Sequence, residues 1–583
     1  MHTFARRTAR LAVILAMTAA ALPTGFVFAS DADVTLVSVM QQTEPITVYT
    51  TAASEISTLD PQRASDQVSI AAIEQLFLGL TDNDPLNPGN ILPELATAWE
   101  YDETGTVWTF TIRNDVPWVR WDPVTDQAEQ LGFVTAHDIA YGMKRACDPR
   151  LGAYYTSVAD KVILGCDEVS TKPVSEVTDA DYDLVQVFAL DDTTLEVHLQ
   201  FSAGFFFSQT PMWMYRPVPR SVIEELGDDW TEPGNLVTNG PFVLDEWQWG
   251  GQRVYLRNPL LPEDLRGPGN VERVIQRPVF DLGTTFALYQ ENSVDASGVP
   301  PAELQSILND PAYADQLSQS TSMSVFYFGF AHDKPPFDNV HARRAFSAAV
   351  DRTAFALQQG SGEPMIHLTP PIIPGAPPIN EVGVGYNPEL ARAEIEAAGY
   401  PNCEGLPPLL IVSFVGSSDW AEFLAASVER ELGCDPSLLT VEQQEFSVLL
   451  ETIDPRNAPE DRPNIWTLGW GPDYPDANNW VGDVLHCESE NTFKRPCSAV
   501  DDLISQAARE TDPALRNELY YRIEEMFFGP EGEHPLISLF LDRSYVLQKP
   551  WYSGPFQTDG IFGGPHYNYR MIDQAAQLAA RGS

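Results

Sequence analysis

Lysine is nearly missing from this chain of 583 residues: Lys144, Lys161, Lys172, Lys334, Lys494 and Lys549 are all it has. Lysine and arginine together number 35 against 82 acidic residues, and the net charge is -47. A surface of that sign repels phosphate backbones and anionic headgroups, which argues against nucleic acid and membrane surfaces as partners. Motifs that carry chemistry are missing too. There is no G-x-S-x-G elbow, no H-E-x-x-H pair and no phosphate loop, so hydrolase and nucleotide-hydrolysing readings lack their signatures. Gly383-Val384-Gly385 lacks the third glycine of a dinucleotide loop. No C-x-x-C spacing exists and His486 stands alone beside Cys487, so zinc lacks a ligand set. Beyond the N-terminal segment, no apolar stretch reaches the roughly 20 residues that a membrane-spanning helix needs.

The chain begins with a basic patch, Arg6, Arg7 and Arg10, then an apolar run from Leu11 to Ala21, then Val27-Phe28-Ala29. That order predicts a cleaved secretory leader over 1–29 and an exported protein. Six cysteines, Cys147, Cys166, Cys403, Cys434, Cys487 and Cys497, are an even count that suits an oxidising compartment. Pairing each with its sequence neighbour gives Cys147–Cys166, Cys403–Cys434 and Cys487–Cys497, one of fifteen possible connectivities. Strand-like stretches such as 106–113, 253–257 and 409–414 alternate irregularly with amphipathic helices such as 136–145 and 513–527. This mixture predicts α/β architecture in more than one domain. The proline-rich run Thr369–Asn380 reads as an ordered loop or a linker.

One stretch concentrates unusual residues: Ile465 to Trp480, IWTLGWGPDYPDANNW. The first six residues read as a strand and Gly471-Pro472 ends it. Asp473 then lies just past the carboxyl end of a strand, where open α/β sheets bind ligands. Spacing rules out a calcium loop of the EF-hand kind, since Pro475 and Ala477 occupy positions that need oxygen ligands. A glycosidase pair of Asp473 with Asp476 is not excluded by spacing. Two readings of Asp473 stay open: a turn cap beneath core tryptophans, or a desolvated carboxylate between Trp470 and Tyr474 suited to an ammonium group.

Motifs in a fixed order resolve part of this. Ser54-Glu55-Ile56-Ser57-Thr58-Leu59-Asp60-Pro61, Leu95–Glu100, Trp108–Arg113, Val134–Ile139, Asn239-Gly240-Pro241-Phe242, Pro335–Phe346 and Gly469–Asp476 come in sequence. Together they resemble the extracytoplasmic solute-binding proteins of ABC importers, in the group of oligopeptide, dipeptide and nickel receptors. The resemblance implies a two-lobed periplasmic-binding-protein fold with an extra subdomain in lobe I. It places lobe I at 31–75, 196–298 and 545–583, the subdomain at 76–195, and lobe II at 299–544. It implies that Asp473 pairs with a ligand α-ammonium and that Trp470, Tyr474, Glu55 and Asn239 contribute to the site. Arg343 and Arg344 read as structural. The implied function is capture of a peptide or similar amine-bearing solute by a monomeric receptor without a cofactor. Delivery would be to an ABC permease and its ATPase subunits. Nickel, haem or an oligosaccharide are alternative solutes, and a secreted hydrolase is the remote one. The chain departs from the family pattern in its cysteines, in the longer link Val119–Phe133 and in having no lipid-bearing cysteine.

Overall fold

A computed structural model describes residues 44–582, apart from positions 88, 361, 490 and 557–563. The expected leader over 1–29 lies outside the described residues. All described residues except Glu44 belong to one unit, Pro45–Ser583.

Local sequence explains the main elements. In the strand Val107–Ile112, alternation turns Trp108, Phe110 and Ile112 inward. Helix Ala136–Arg145 starts at a capping box: Thr135 caps the first turn and Asp138 Oδ2 accepts from the Thr135 N–H at 2.9 Å. Its inner stripe is Ile139, Ala140 and Met143, and Lys144 and Arg145 complement the dipole at its end. Arg145 then reaches Asp60 of the Leu59-Asp60-Pro61 motif in a buried two-pronged pair at 2.6 and 2.5 Å. Two motifs far apart in sequence are thereby one buried ion pair.

The strands sort into two regions. In the first, Thr47–Ala52 runs parallel to Arg273–Pro278, which continues antiparallel to Arg253–Arg257 and Phe242–Trp247. Beside it stands an antiparallel sheet of Ala96–Tyr101, Val107–Ile112, Thr194–His198 and Val187–Asp191. Strand Thr194–His198 runs across the expected division at 195/196 and lies wholly in this sheet. The long link at 119–133 is a hairpin, Pro117–Asp122 with Gln127–Phe133, paired to Val237–Thr238. These sheets share one core that includes Val48, Ile73, Phe110, Ile139, Phe242 and Val274.

The second region is built on a seven-stranded sheet, ordered Ala296–Gly298, Leu536–Gln548, Leu317–Phe330, Ile465–Trp470, Leu409–Phe414, Leu439–Gln444, with Glu363–Pro364 beside Leu536–Gln548. Both faces are covered. Tyr327, Val412, Trp466 and Leu536 pack to one side; Phe328, Ile411, Ile465 and Ile537 pack to the other. Their adjacent numbers show the period of two that divides a strand between faces. Arg343 and Arg344 are tied down by backbone carbonyls of Glu533, Phe337 and Gly532 at 2.7–3.0 Å. The proline-rich run is an ordered loop whose leading N–H groups, at Leu368 and Thr369, donate to the buried Glu524. The core of the first region is separate from the two clusters that sandwich the seven-stranded sheet, and this division gives the molecule two lobes.

The chain crosses between lobes at Ala296–Gly298 and returns at the end of Leu536–Gln548, and these two strands pair with each other. Asp295, fully buried, sits at that crossing. Its carboxylate accepts from the Tyr49 N–H at 2.8 Å, Trp551 Nε1 at 2.8 Å, Gln577 Nε2 at 3.0 Å and Arg581 Nη2 at 2.8 Å. It thus holds the first sheet, the returning chain and the last helix, Gln574–Arg581, to one point. Asp295→Ala strands these donors, Arg581 among them, in a buried site. Equilibrium denaturation should show a loss of about 3 kcal/mol or more.

Candidate ligand-binding site

Strand Ile465–Trp470 lies parallel to Leu409–Phe414, and Gly471-Pro472 turns the chain away at their shared carboxyl edge. Asn479 fixes the loop beyond that turn. Its Oδ1 accepts from the Asp473 N–H at 2.9 Å and from Trp470 Nε1 at 3.2 Å. Its Nδ2 donates at 3.1 Å to both Asp473 Oδ2 and Asp483 Oδ2. Every hydrogen-bonding position of this buried amide is therefore used. Asp483 stands on a single π-helical turn, Val481–Leu485, and also accepts from the Tyr474 hydroxyl at 2.7 Å. Two carboxylates are thus held side by side by one asparagine.

They line a cavity of about 560 Å³. One wall comes from the first lobe: Tyr154, Tyr155, Val158, Lys161, Phe205 and Gln67. The other comes from the second: Met323, Tyr327, Phe446, Trp470, Asp473 and Asp483. The Asp473 side chain is half-buried, meeting the cavity on one side and packed protein on the rest. Burial pushes its carboxyl up to about 6 and the Asp483 charge adds to the rise, while the Asn479 and Tyr155 hydrogen bonds and the Lys161 charge oppose it. Tyr155 thus reaches Asp473 from the opposite lobe. Lys161 does the same for Asp483, Nζ to Oδ1 at 3.6 Å.

Contacts beyond the cavity join the same two lobes. Phe205 stacks on the buried Tyr474, centroids 5.8 Å apart. The Gly204 N–H donates to the Ala508 carbonyl at 2.8 Å. A side chain at position 204 would stand 2.1 Å from the Glu510 carbonyl oxygen, so only glycine allows this approach. Disulfides bracket two of the cavity-lining segments. Cys147–Cys166 closes the stretch holding Tyr154, Tyr155 and Lys161; Cys487–Cys497 closes the stretch holding Asn491 and Thr492. Cys403–Cys434 anchors the end of helix Ser418–Leu432.

Of the residues expected in a site, Asp473, Trp470 and Tyr474 come together at the cavity. Glu55 and Asn239 do not line it. Glu55 Oε1 accepts from the Gly250 N–H at 3.0 Å and its other oxygen faces Arg253, so the first loop is tied to its own sheet. Asn239 is fully buried and its Oδ1 takes the Leu78 N–H at 3.1 Å, closing the end of helix Gln67–Leu76. Asp476 is held by Arg516 at 2.5 and 2.6 Å and caps Asn478, which leaves no free partner for a glycosidase pair with Asp473. His486, Cys487 and Asp501 cluster, but the Cys487 sulfur is bonded to Cys497 and Asp501 accepts from Arg495 and the Cys487 N–H. Sequence reasoning missed Asn479, Asp483, Tyr155 and Lys161. The paired asparagines after Asp476 and the rarity of lysine were the available signals.

The sequence model of the bacterial extracellular solute-binding proteins, family 5, matches residues 90–492. The chain belongs to that family. It is 26% identical to the periplasmic oligopeptide-binding protein OppA of Escherichia coli, over 86% of this chain and 88% of that one. It is 27% identical to the probable deoxycholate-binding periplasmic protein YgiS of the same organism, over 86% of this chain and 89% of that one. Among solved structures, the unliganded open form of the periplasmic murein tripeptide-binding protein MppA superposes with a TM-score of 0.73, covering 91% of this chain and 98% of that one at 22% identity. These matches establish the two-lobed receptor fold. Among the described residues, no helix is long and apolar enough to cross a membrane.

An aspartate held near 6 costs the fold stability once it ionises. Its folded-state value lies above the usual value of about 4, so the native state binds the proton more tightly, and the cost is absent below pH 4 and complete above pH 6. Asp473→Asn should therefore stabilise the ligand-free protein at pH 8 by about 1–2 kcal/mol, a figure reduced for the part of the carboxylate that meets the cavity. The gain should vanish at pH 4, which paired denaturation curves would show.

Proposed function

We propose that the protein is the solute receptor of an ABC importer that takes a peptide or similar amine by its α-ammonium group. The lobe with the first core and its extra sheet would close over the ligand against the seven-stranded lobe, and the filled receptor would dock on a membrane permease. Asp473 is the ligand's counter-charge in this reading. The observation that carries it is a desolvated, partly open carboxylate facing an interlobe cavity of about 560 Å³ with Trp470 on its flank. A carboxylate that has already lost part of its water gains more from an ammonium ion than a fully hydrated one does, and the aromatic flank adds cation–π attraction. Trp470 is a flanking wall and Tyr474 a support, since its hydroxyl is spent on Asp483.

The same chemistry weighs against other solutes. A bile acid of the kind named for YgiS would bring a carboxylate toward Asp473 and Asp483, and like charges at short range repel. Capture without turnover is the function proposed, in keeping with a family of solute-binding proteins. The protein is read as exported, in keeping with its periplasmic relatives.

Calorimetric titration with a tripeptide and its N-acetylated form tests the reading. Acetylation removes the positive charge and leaves Asp473 buried without a partner, and affinity should fall at least about a hundredfold. Affinity for the free peptide should also fall about tenfold per pH unit below pH 6, as Asp473 takes up its proton. Equal binding of both forms would contradict the role given to Asp473.

A further inference from the structure

Three described residues lining the cavity carry charge: Asp473, Asp483 and Lys161. They are not independent. Asp473 and Asp483 share the Asn479 amide, each at 3.1 Å, and Lys161 approaches Asp483 from the opposite lobe at 3.6 Å. Tyr155, on the same wall as Lys161, stands close enough to Asp473 for its hydroxyl to favour the ionised carboxylate. Asp160, beside Lys161 in the chain, is engaged elsewhere, accepting from Ser170 Oγ at 3.1 Å. Lys161 is half-exposed, and the carboxylate its ammonium pairs with is Asp483 of the opposite lobe. Its position is that of a cation paired with an anion of the opposite lobe at the edge of the cavity.

We propose that Lys161 is a resident counter-ion that occupies Asp483 and so restricts the site to ligands bringing a single positive charge. This rests on the reading of Asp473 as the ammonium partner. With Lys161 in place, the pair of carboxylates presents one uncompensated negative charge, which one α-ammonium group neutralises. A second cation on the ligand, such as a lysine or arginine side chain next to its N-terminus, would meet Lys161 at close range. Without Lys161 the two carboxylates would present two negative charges, and a dication would become the better match.

The test uses the full exported protein and two peptides of equal shape, norleucyl-dialanine and lysyl-dialanine, which differ by one side-chain charge. In the wild type the norleucyl peptide should bind at least as tightly. In Lys161→Met the ratio of dissociation constants should move at least about tenfold toward the lysyl peptide, and Lys161→Arg should keep the wild-type ratio. A second readout needs no ligand. The Asp473 carboxyl carbon, tracked by NMR through a pH titration, should titrate at higher pH in Lys161→Met, because a nearby positive charge has gone. A ratio unchanged within about twofold, or an unmoved Asp473 titration, overturns the proposal. Failure of the underlying reading looks different: N-acetyl-norleucyl-dialanine would bind the wild type as tightly as the free peptide, or neither free peptide would bind it.

Discussion

In the proposed reading, everything in this receptor's chemistry depends on keeping one carboxylate short of water without a permanent ion pair. An aspartate in that state is costly for the fold, and natural proteins usually neutralise such a group with a permanent ion pair. Asp476, three residues further on, shows that ordinary solution: Arg516 grips it with two hydrogen bonds and it serves the loop's architecture. Asp473 receives only an amide, a phenol and a distant ammonium, enough to fix its direction and too little to satisfy its charge. The same loop therefore holds one carboxylate for structure and, in the proposed reading, one for binding, and the difference lies in what faces each.

Poising such a group between lobes places demands on the rest of the chain. The lobes must meet at a defined distance, so the crossing strands are gathered on Asp295, and Gly204 lets backbone approach backbone beyond the cavity. The segment carrying Tyr154, Tyr155 and Lys161 has little regular structure, the short helical turns Pro149–Leu151 and Thr156–Ala159, and the Cys147–Cys166 bond limits what its ends can do. A short loop closed by a disulfide loses freedom in the unfolded chain, and here the same bond limits play in a wall of the cavity. The acidic surface adds nothing to the site's geometry. It favours solubility and approach of cations over anions.

Much of this was legible in the residues. Helix 136–145 carries its own cap, stripe and stop, and the structure has it at those bounds. Strands such as 409–414 and 253–257 were visible because one or both faces are buried. Leu317–Phe330 and Leu536–Gln548 run further than their apolar ends suggested, since their outer halves pair with each other and carry polar residues such as Gln319 and Ser544. Pairing of that kind leaves no hydrophobic period to read. For the site, the loop after strand 465–470 announced Asp473 because its composition is unusual there. Lys161 and Tyr155 sit more than three hundred residues earlier on a segment with no pattern, and only the fold brings them across the cavity. Glu55 and Asn239 belong to motifs that serve sheet and helix ends, where the residue types match those of a binding loop.

The most direct test of a half-desolvated acid waiting for a cation is the proton it releases when the cation arrives. Titration of a free-amine peptide at pH 6, repeated in buffers of different ionisation enthalpy, measures that number. With Asp473 titrating near 6, about half a proton should leave the protein per ligand bound, and none in Asp473→Asn. Binding that releases no proton at pH 6, or releases the same amount after the substitution, would contradict the account.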